Sequence, residues 1–158
     1  VQFNHTRSLI NNLLDWALLQ MEKLKIVPEK IDLRVVAQTN FSLLSSMHTK
    51  DIRMENNIRE GTMGWADLNM INLVFRNLIL NAIKFTDAGG VIKISTQDLG
   101  SFYEIAIADN GVGIKPEVQK LLFEKTTGYS TRGTANEKGT GLGLILCKEF
   151  VEKNGGSI

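Results

Sequence analysis

Apolar and polar positions along this chain change period several times, and each change marks an element. Residues 3 to 25 place Ile10, Leu13, Ala17 and Leu24 at three-four spacing, with Leu9, Leu14, Leu18 and Met21 widening the stripe. So broad an apolar face predicts a helix that needs a partner helix, as in a bundle. Pro28 ends the pattern and makes residues 26 to 30 a linker. Residues 31 to 34 are short and strand-like, residues 35 to 49 predict a helix around Val36, Phe41, Leu44 and Met47, and residues 52 to 58 alternate as a strand does. Gly61 and Gly64 bracket a turn or short strand, and Trp65 beside them is expected in the core.

From Leu68 the period returns to about 100° per residue, and Ile71, Phe75, Leu78, Ile79 and Ala82 form one apolar arc. Asp67 precedes it as an N-cap, its carboxylate suited to the orphan amides of the first turn. After the turn at residues 87 to 90, residues 91 to 97 and 102 to 108 alternate as two antiparallel strands joined around Gly100. Tyr103, Ile105, Ile107 and Asp109 share one side of the pleat, so Asp109 is expected on the core side, in need of a donor. Residues 116 to 124 predict a short helix with Pro116 in its first turn. Residues 125 to 138 are polar and contain Gly128 and Gly133, which predicts a mobile lid. A glycine-rich stretch, Gly139 to Gly143, then opens a last helix running to about Asn154.

Composition narrows the possibilities. The 158 residues fit one domain with a short appendage, and 43% hydrophobic content is ordinary for a globular core. A net charge of +1 gives no electrostatic basis for binding nucleic acid or an anionic membrane. A single cysteine, Cys147, excludes an internal disulfide; its helical setting predicts a buried, inert thiol in a reducing compartment. No apolar run approaches the roughly 20 residues of a spanning helix. The chain opens within a helical pattern and stops at Ile158, where a strand is due, so a fragment of a larger protein is expected, with a membrane anchor elsewhere in the parent left open.

Chemistry concentrates in three places. Asn77, Asn81 and Lys84 fall together on the flank of the apolar arc, an expensive position for two amides and an ammonium unless a ligand uses them. Amide oxygens suit a hard cation such as Mg²⁺, and an ammonium suits phosphate. Asp109-Asn110-Gly111-Val112-Gly113-Ile114 alternates glycines that allow a ligand close to the backbone. Gly139-Thr140-Gly141-Leu142-Gly143-Leu144 offers a helix N-terminus to an anion, although it is neither a Walker A loop nor a dinucleotide fingerprint.

The order of these motifs resembles the ATP-binding catalytic domain of sensor histidine kinases, within the Bergerat-fold (GHKL) ATPase superfamily. The resemblance covers residues 31 to 158: residues 77 to 86 resemble the N box, residues 109 to 114 the G1 box, Phe123-Glu124 the F box and residues 139 to 144 the G2 box. Residues 1 to 27 resemble the second helix of the dimerisation hairpin, through Leu14-Asp15-Trp16 and Lys23-Leu24, and residues 28 to 158 the catalytic domain without its last strands. The resemblance implies an α/β sandwich, a mixed, mostly antiparallel sheet with about three helices on one face, preceded by one bundle helix. It implies ATP and Mg²⁺, with Asn81 on the metal and Asn77 and Lys84 near the phosphates as catalytic residues. Phe85, Gly111, Gly113, Ile114 and Phe123 would line the pocket, Asp109 would accept the adenine amine, and Thr140, Gly141, Leu142 and Gly143 would approach the phosphate tail. The implied partners are a response regulator or receiver domain and a second copy joined through the hairpin, in a cytoplasmic domain, with no nucleic acid.

This sequence also departs from the family pattern. The second phenylalanine and the basic residue common after the F box are replaced by Lys125-Thr126-Thr127-Gly128, leaving Lys125, Arg132 and Lys138 as unranked lid cations. His5-Thr6-Arg7-Ser8 lacks the acid that follows a phosphoacceptor histidine, and His48 reads as a helix-end residue. The chain is therefore expected to bind nucleotide without labelling itself. Two alternatives stand beside this reading: a hydrolytic GHKL ATPase, which places a glutamate where Asn77 stands, and a non-catalytic nucleotide-binding scaffold.

Overall fold

The computed structural model describes residues 17, 20, 22–124, 131–136, 139 and 141–158. Most of the expected N-terminal helix, most of the lid and Thr140 lie outside the described residues. The elements are β1 (Glu29–Asp32), α1 (Leu33–Ser45), β2 (Arg53–Asn56), β3 (Met63–Ala66), α2 (Leu68–Phe85), β4 (Val91–Asp98), β5 (Tyr103–Asp109), α3 (Pro116–Gln119) and α4 (Gly143–Lys153). α1 starts two residues earlier than the periodicity suggested and ends four residues sooner. Asp32 is the reason for the early start: its Oδ1 accepts the Val35 amide at 3.1 Å and caps the first turn. His48 consequently lies beyond the helix rather than at its end. α3 stops at Gln119, with turns rather than helix carrying the chain through Phe123.

Two sheets form among the described residues. β1 and β3 pair antiparallel, while β2, β4 and β5 lie in that order, with β2–β4 parallel and β4–β5 antiparallel. Ile92 and Ile94 of β4 are fully buried and pack with Phe41 and Leu44 of α1 and Phe75, Ile79 and Ile83 of α2. The opposite face is polar, carrying Glu55 between Arg53 and Lys93 at 3.0 and 3.3 Å. Among the described residues, α1 and α2 cover the face that carries Ile92 and Ile94. α4 completes that layer by packing along α2, where Cys147 and Phe150 meet Met70 and Val74 in a second cluster. α2 is thus buried on two sides, one more than its apolar arc indicated.

Trp65 corrects an expectation. It pairs with Lys30 on the outward face of the β1–β3 ribbon and is 71% exposed, while its neighbour Ala66 and the β1 residue Ile31 point inward. A one-residue step in a strand reverses the facing of the side chain, and the register decides which residue goes in.

Candidate nucleotide site

The site is built along α2, whose start and end are both fastened by residues distant in sequence. At the start, Asp67 Oδ1 accepts the Met70 amide at 3.1 Å, the expected N-cap. Its Oδ2 accepts the Val27 amide at 2.9 Å, and its own amide donates to Asn154 Oδ1 at 2.8 Å. One aspartate therefore joins the linker, α2 and the end of α4. The amides of Val27 and then Met70 hold its carboxyl below the usual range.

At the far end, Phe85 meets the Asp109–Ile114 loop. The Phe85 carbonyl accepts the Val112 amide at 3.0 Å, and a Cβ built on Gly111 would lie 2.0 Å from that carbonyl oxygen. Only glycine fits this approach, so Gly111 is needed for contact between the loop and α2. Asp109 lies opposite Ile92 in the ladder, on the helix-covered face as expected. Its carboxylate is nevertheless exposed, contrary to the expectation of burial, because it stands at the last position of β5 on the outer strand of the sheet. Oδ1 accepts the Gly111 amide at 2.9 Å, which fixes the orientation of the carboxylate.

Between these ends lie the flank residues. Asn77, Asn81, Lys84 and Phe85 are all half-buried. Lys84 Nζ sits 4.8 Å from the Phe85 ring centroid, a cation–π contact. Asn77 faces α4: a Cβ on Gly143 would be 3.4 Å from Asn77 Oδ1. Within the helix pair the Cys147 thiol donates to the Val74 carbonyl at 3.9 Å. Burial pushes that thiol up to about 11, with Asn77 pulling weakly the other way, so the thiol is protonated at neutral pH and inert as expected. Gly141 adopts a φ of +73° just before α4, and Leu142 is the N-cap position, with no side-chain oxygen to offer. Gly113 and the exposed Ile114 follow the Phe85 contact, and Phe123 is half-buried in the turn after α3.

One residue without any motif also reaches this site. Lys50, in the loop between α1 and β2, donates to the Ile83 carbonyl at 2.9 Å, the Lys84 carbonyl at 3.1 Å and Thr134 Oγ1 at 2.8 Å. Nothing in the local pattern singles it out, because its acceptors lie 33 to 84 positions away.

Comparison with known proteins gives a consistent result. Residues 66–158 match the family described as histidine kinase-, DNA gyrase B-, and HSP90-like ATPase. Histidine protein kinase DivJ of Caulobacter vibrioides is 31% identical over 98% of this chain, which spans 26% of that relative's length. The solved mycobacterial sensor histidine kinase MprB superposes with a TM-score of 0.70 at 25% identity, over 82% of this chain and 81% of that one. A complex of histidine kinase ThkA with response regulator protein TrrA shares the fold at 20% identity and a TM-score of 0.69, over 98% of this chain and 43% of that one. The chain therefore belongs to the histidine kinase-, DNA gyrase B- and HSP90-like ATPase family.

Proposed function

We propose that this chain binds Mg²⁺ and ATP along the α2 flank and, within its parent protein, presents the γ-phosphate to a histidine on a dimerisation hairpin. The parent would be a homodimer joined through that hairpin, of which residues 1 to 27 form part, with residues 28 to 158 as the catalytic domain. The phosphohistidine would then supply a response-regulator aspartate. One observation carries this reading: the same helix flank touches Gly111 at Phe85 and Gly143 at Asn77. Those contacts are eight residues apart, about 12 Å along a helix, comparable with the span from a purine edge to a polyphosphate.

The residues present fit the metal. A half-buried amide oxygen at Asn81, completed by phosphate oxygens, suits Mg²⁺, which is bound by few protein ligands. Bound there, Mg²⁺ supplies neutralisation of the triphosphate charge.

The chain's own groups do the rest. Asp109 accepts a hydrogen bond from the exocyclic amine of adenine, and the Gly111 amide on Oδ1 holds it in place while leaving acceptor capacity on the carboxylate. Guanine presents a carbonyl at that point and is rejected. Lys84 brings a positive charge to the phosphate side of Phe85, and Gly141, Leu142 and Gly143 present backbone at the start of α4. Asn77 has no base to offer an attacking water, so transfer to an acceptor is favoured over hydrolysis. Arg132 is bonded to Asn136 Oδ1 at 2.7 Å, while Lys125 and Lys138 lie outside the described residues. No helix among the described residues is long and apolar enough to cross a membrane.

Calorimetry with a non-hydrolysable ATP analogue tests the reading, with Mg²⁺ present and then chelated. Binding should require Mg²⁺ and fall at least tenfold in Asn81→Ala, and the GTP counterpart should bind poorly. Added to a separately prepared hairpin carrying an acceptor histidine, the chain and ATP should yield an alkali-stable, acid-labile phosphate on the hairpin alone. Absence of binding would leave a scaffold, and steady ATP turnover without the hairpin would leave a hydrolase.

A further inference from the structure

We infer that Lys50 is a positioning residue for the nucleotide site, clasping residues 132 to 136 to the end of α2 through Thr134. The inference rests on the nucleotide reading above for its functional consequence, but the clasp itself stands on hydrogen bonds. An ammonium has three donors, and Lys50 Nζ directs them at three acceptors: Ile83 O, Lys84 O and Thr134 Oγ1, at 2.9, 3.1 and 2.8 Å. Two of the three are final carbonyls of α2, where the helix dipole favours a cation. The third belongs to the stretch expected to act as a lid.

Thr134 is held from several sides. Its amide donates to Lys84 O at 2.9 Å, and its hydroxyl reaches Thr86 O at 3.2 Å. That hydroxyl can accept from Lys50 while donating to Thr86, so the two residues form one relay and not two separate contacts. The loop carrying Lys50 is itself fixed to the turn after α2, where Gly89 donates to Asp51 O at 2.6 Å and Arg53 donates to Gly90 O at 3.0 Å.

The backbone gathered here is the backbone that places the site. Lys84 and Phe85 carry the cation and the ring of the candidate pocket, and Phe85 O receives Val112 from the glycine loop. Removing the Lys50 ammonium takes one donor each from Ile83 O, Lys84 O and the Thr134 hydroxyl, and leaves Thr134 held by its own amide on Lys84 O and its hydroxyl on Thr86 O, so residues 132 to 136 lose their charged tie. Affinity for the nucleotide then falls because part of the binding free energy must reorder this corner.

The test compares the full chain with Lys50→Met, Lys50→Arg, Thr134→Val and the Lys50→Met/Thr134→Val double variant. Hydrogen exchange without ligand reads the clasp directly: the Thr134 amide should exchange about tenfold faster in Lys50→Met and stay near its original rate in Lys50→Arg. With the Mg²⁺-loaded ATP analogue, Lys50→Met and Thr134→Val should each weaken binding about tenfold, and the double variant no more than either alone. Unchanged exchange at Thr134 in Lys50→Met overturns the clasp. Faster exchange with unchanged affinity, or strictly additive losses, overturns the positioning role and leaves Lys50 a helix cap. If the unaltered chain binds no analogue, the nucleotide reading fails, and the exchange result still decides the clasp.

Discussion

Two residues carry most of what can be tested one side chain at a time. Gly111 admits no side chain, because a Cβ would stand 2.0 Å from the Phe85 carbonyl oxygen and 2.8 Å from Asp109 Oδ1. Gly111→Ala should cost about 2 kcal/mol or more, since backbone rather than a flexible tip must move. Thermal denaturation and analogue binding should both register the change, and a stable variant with intact binding would refute the contact. Asp67 offers a pH signature. Its carboxyl is held below its ordinary 3.8 by backbone donors, so its contribution to stability is present above that value and lost as pH falls through the lowered one. Asp67→Asn should therefore be less stable than the original chain at pH 7, with the gap in Tm constant down to about pH 4 and narrowing below it. A gap independent of pH would show that charge has no part in the clasp on Val27. The carboxylate's role as an N-cap was legible in the sequence because capping is local. Its second role was not, since Val27 and Asn154 lie 40 and 87 positions away.

At the scale of elements, α2 is the common support. Its 18 residues contribute Phe75, Ile79, Ala82 and Ile83 to the cluster under the sheet and Met70 and Val74 to the cluster under α4. Ile79 is fully buried, and Ile79→Ala should cost about 3 kcal/mol. Because α2 belongs to both clusters, chemical denaturation should still follow one cooperative transition, and two separated transitions would mean that α4 folds apart from the sheet. The span of α2 and the pairing of β4 with β5 were readable from periodicity, as was the flank bearing Asn77, Asn81 and Lys84. The second buried side of α2 was not, because it answers to α4, whose approach no local pattern reveals. Trp65 and Asp109 show the same limit from the other direction. An aromatic residue beside a strand and an acid on a core-facing pleat both argued for burial, but facing is set by register and burial by what covers the position.

At the scale of the whole molecule, stretches far apart in sequence meet along one helix, as the proposed ATP site requires. Phe85 brings in the Asp109–Ile114 loop, Asn77 brings in the start of α4, and Lys50 ties Thr134 to the end of α2. The fold makes this possible by burying α2 on two sides while leaving the Asn77–Phe85 flank half-open. Such convergence is a property of topology, which the order of motifs implied only through their resemblance to known ATP-binding domains. Amide NMR of the full chain, titrated with a non-hydrolysable ATP analogue and Mg²⁺, addresses it most directly. The backbone signals of Asp109, Gly111 and Gly113, of Asn81 and Lys84, and of Gly141 and Gly143 should shift together along one saturating curve. Shifts confined to one of these groups, or centred away from α2, would contradict a shared site.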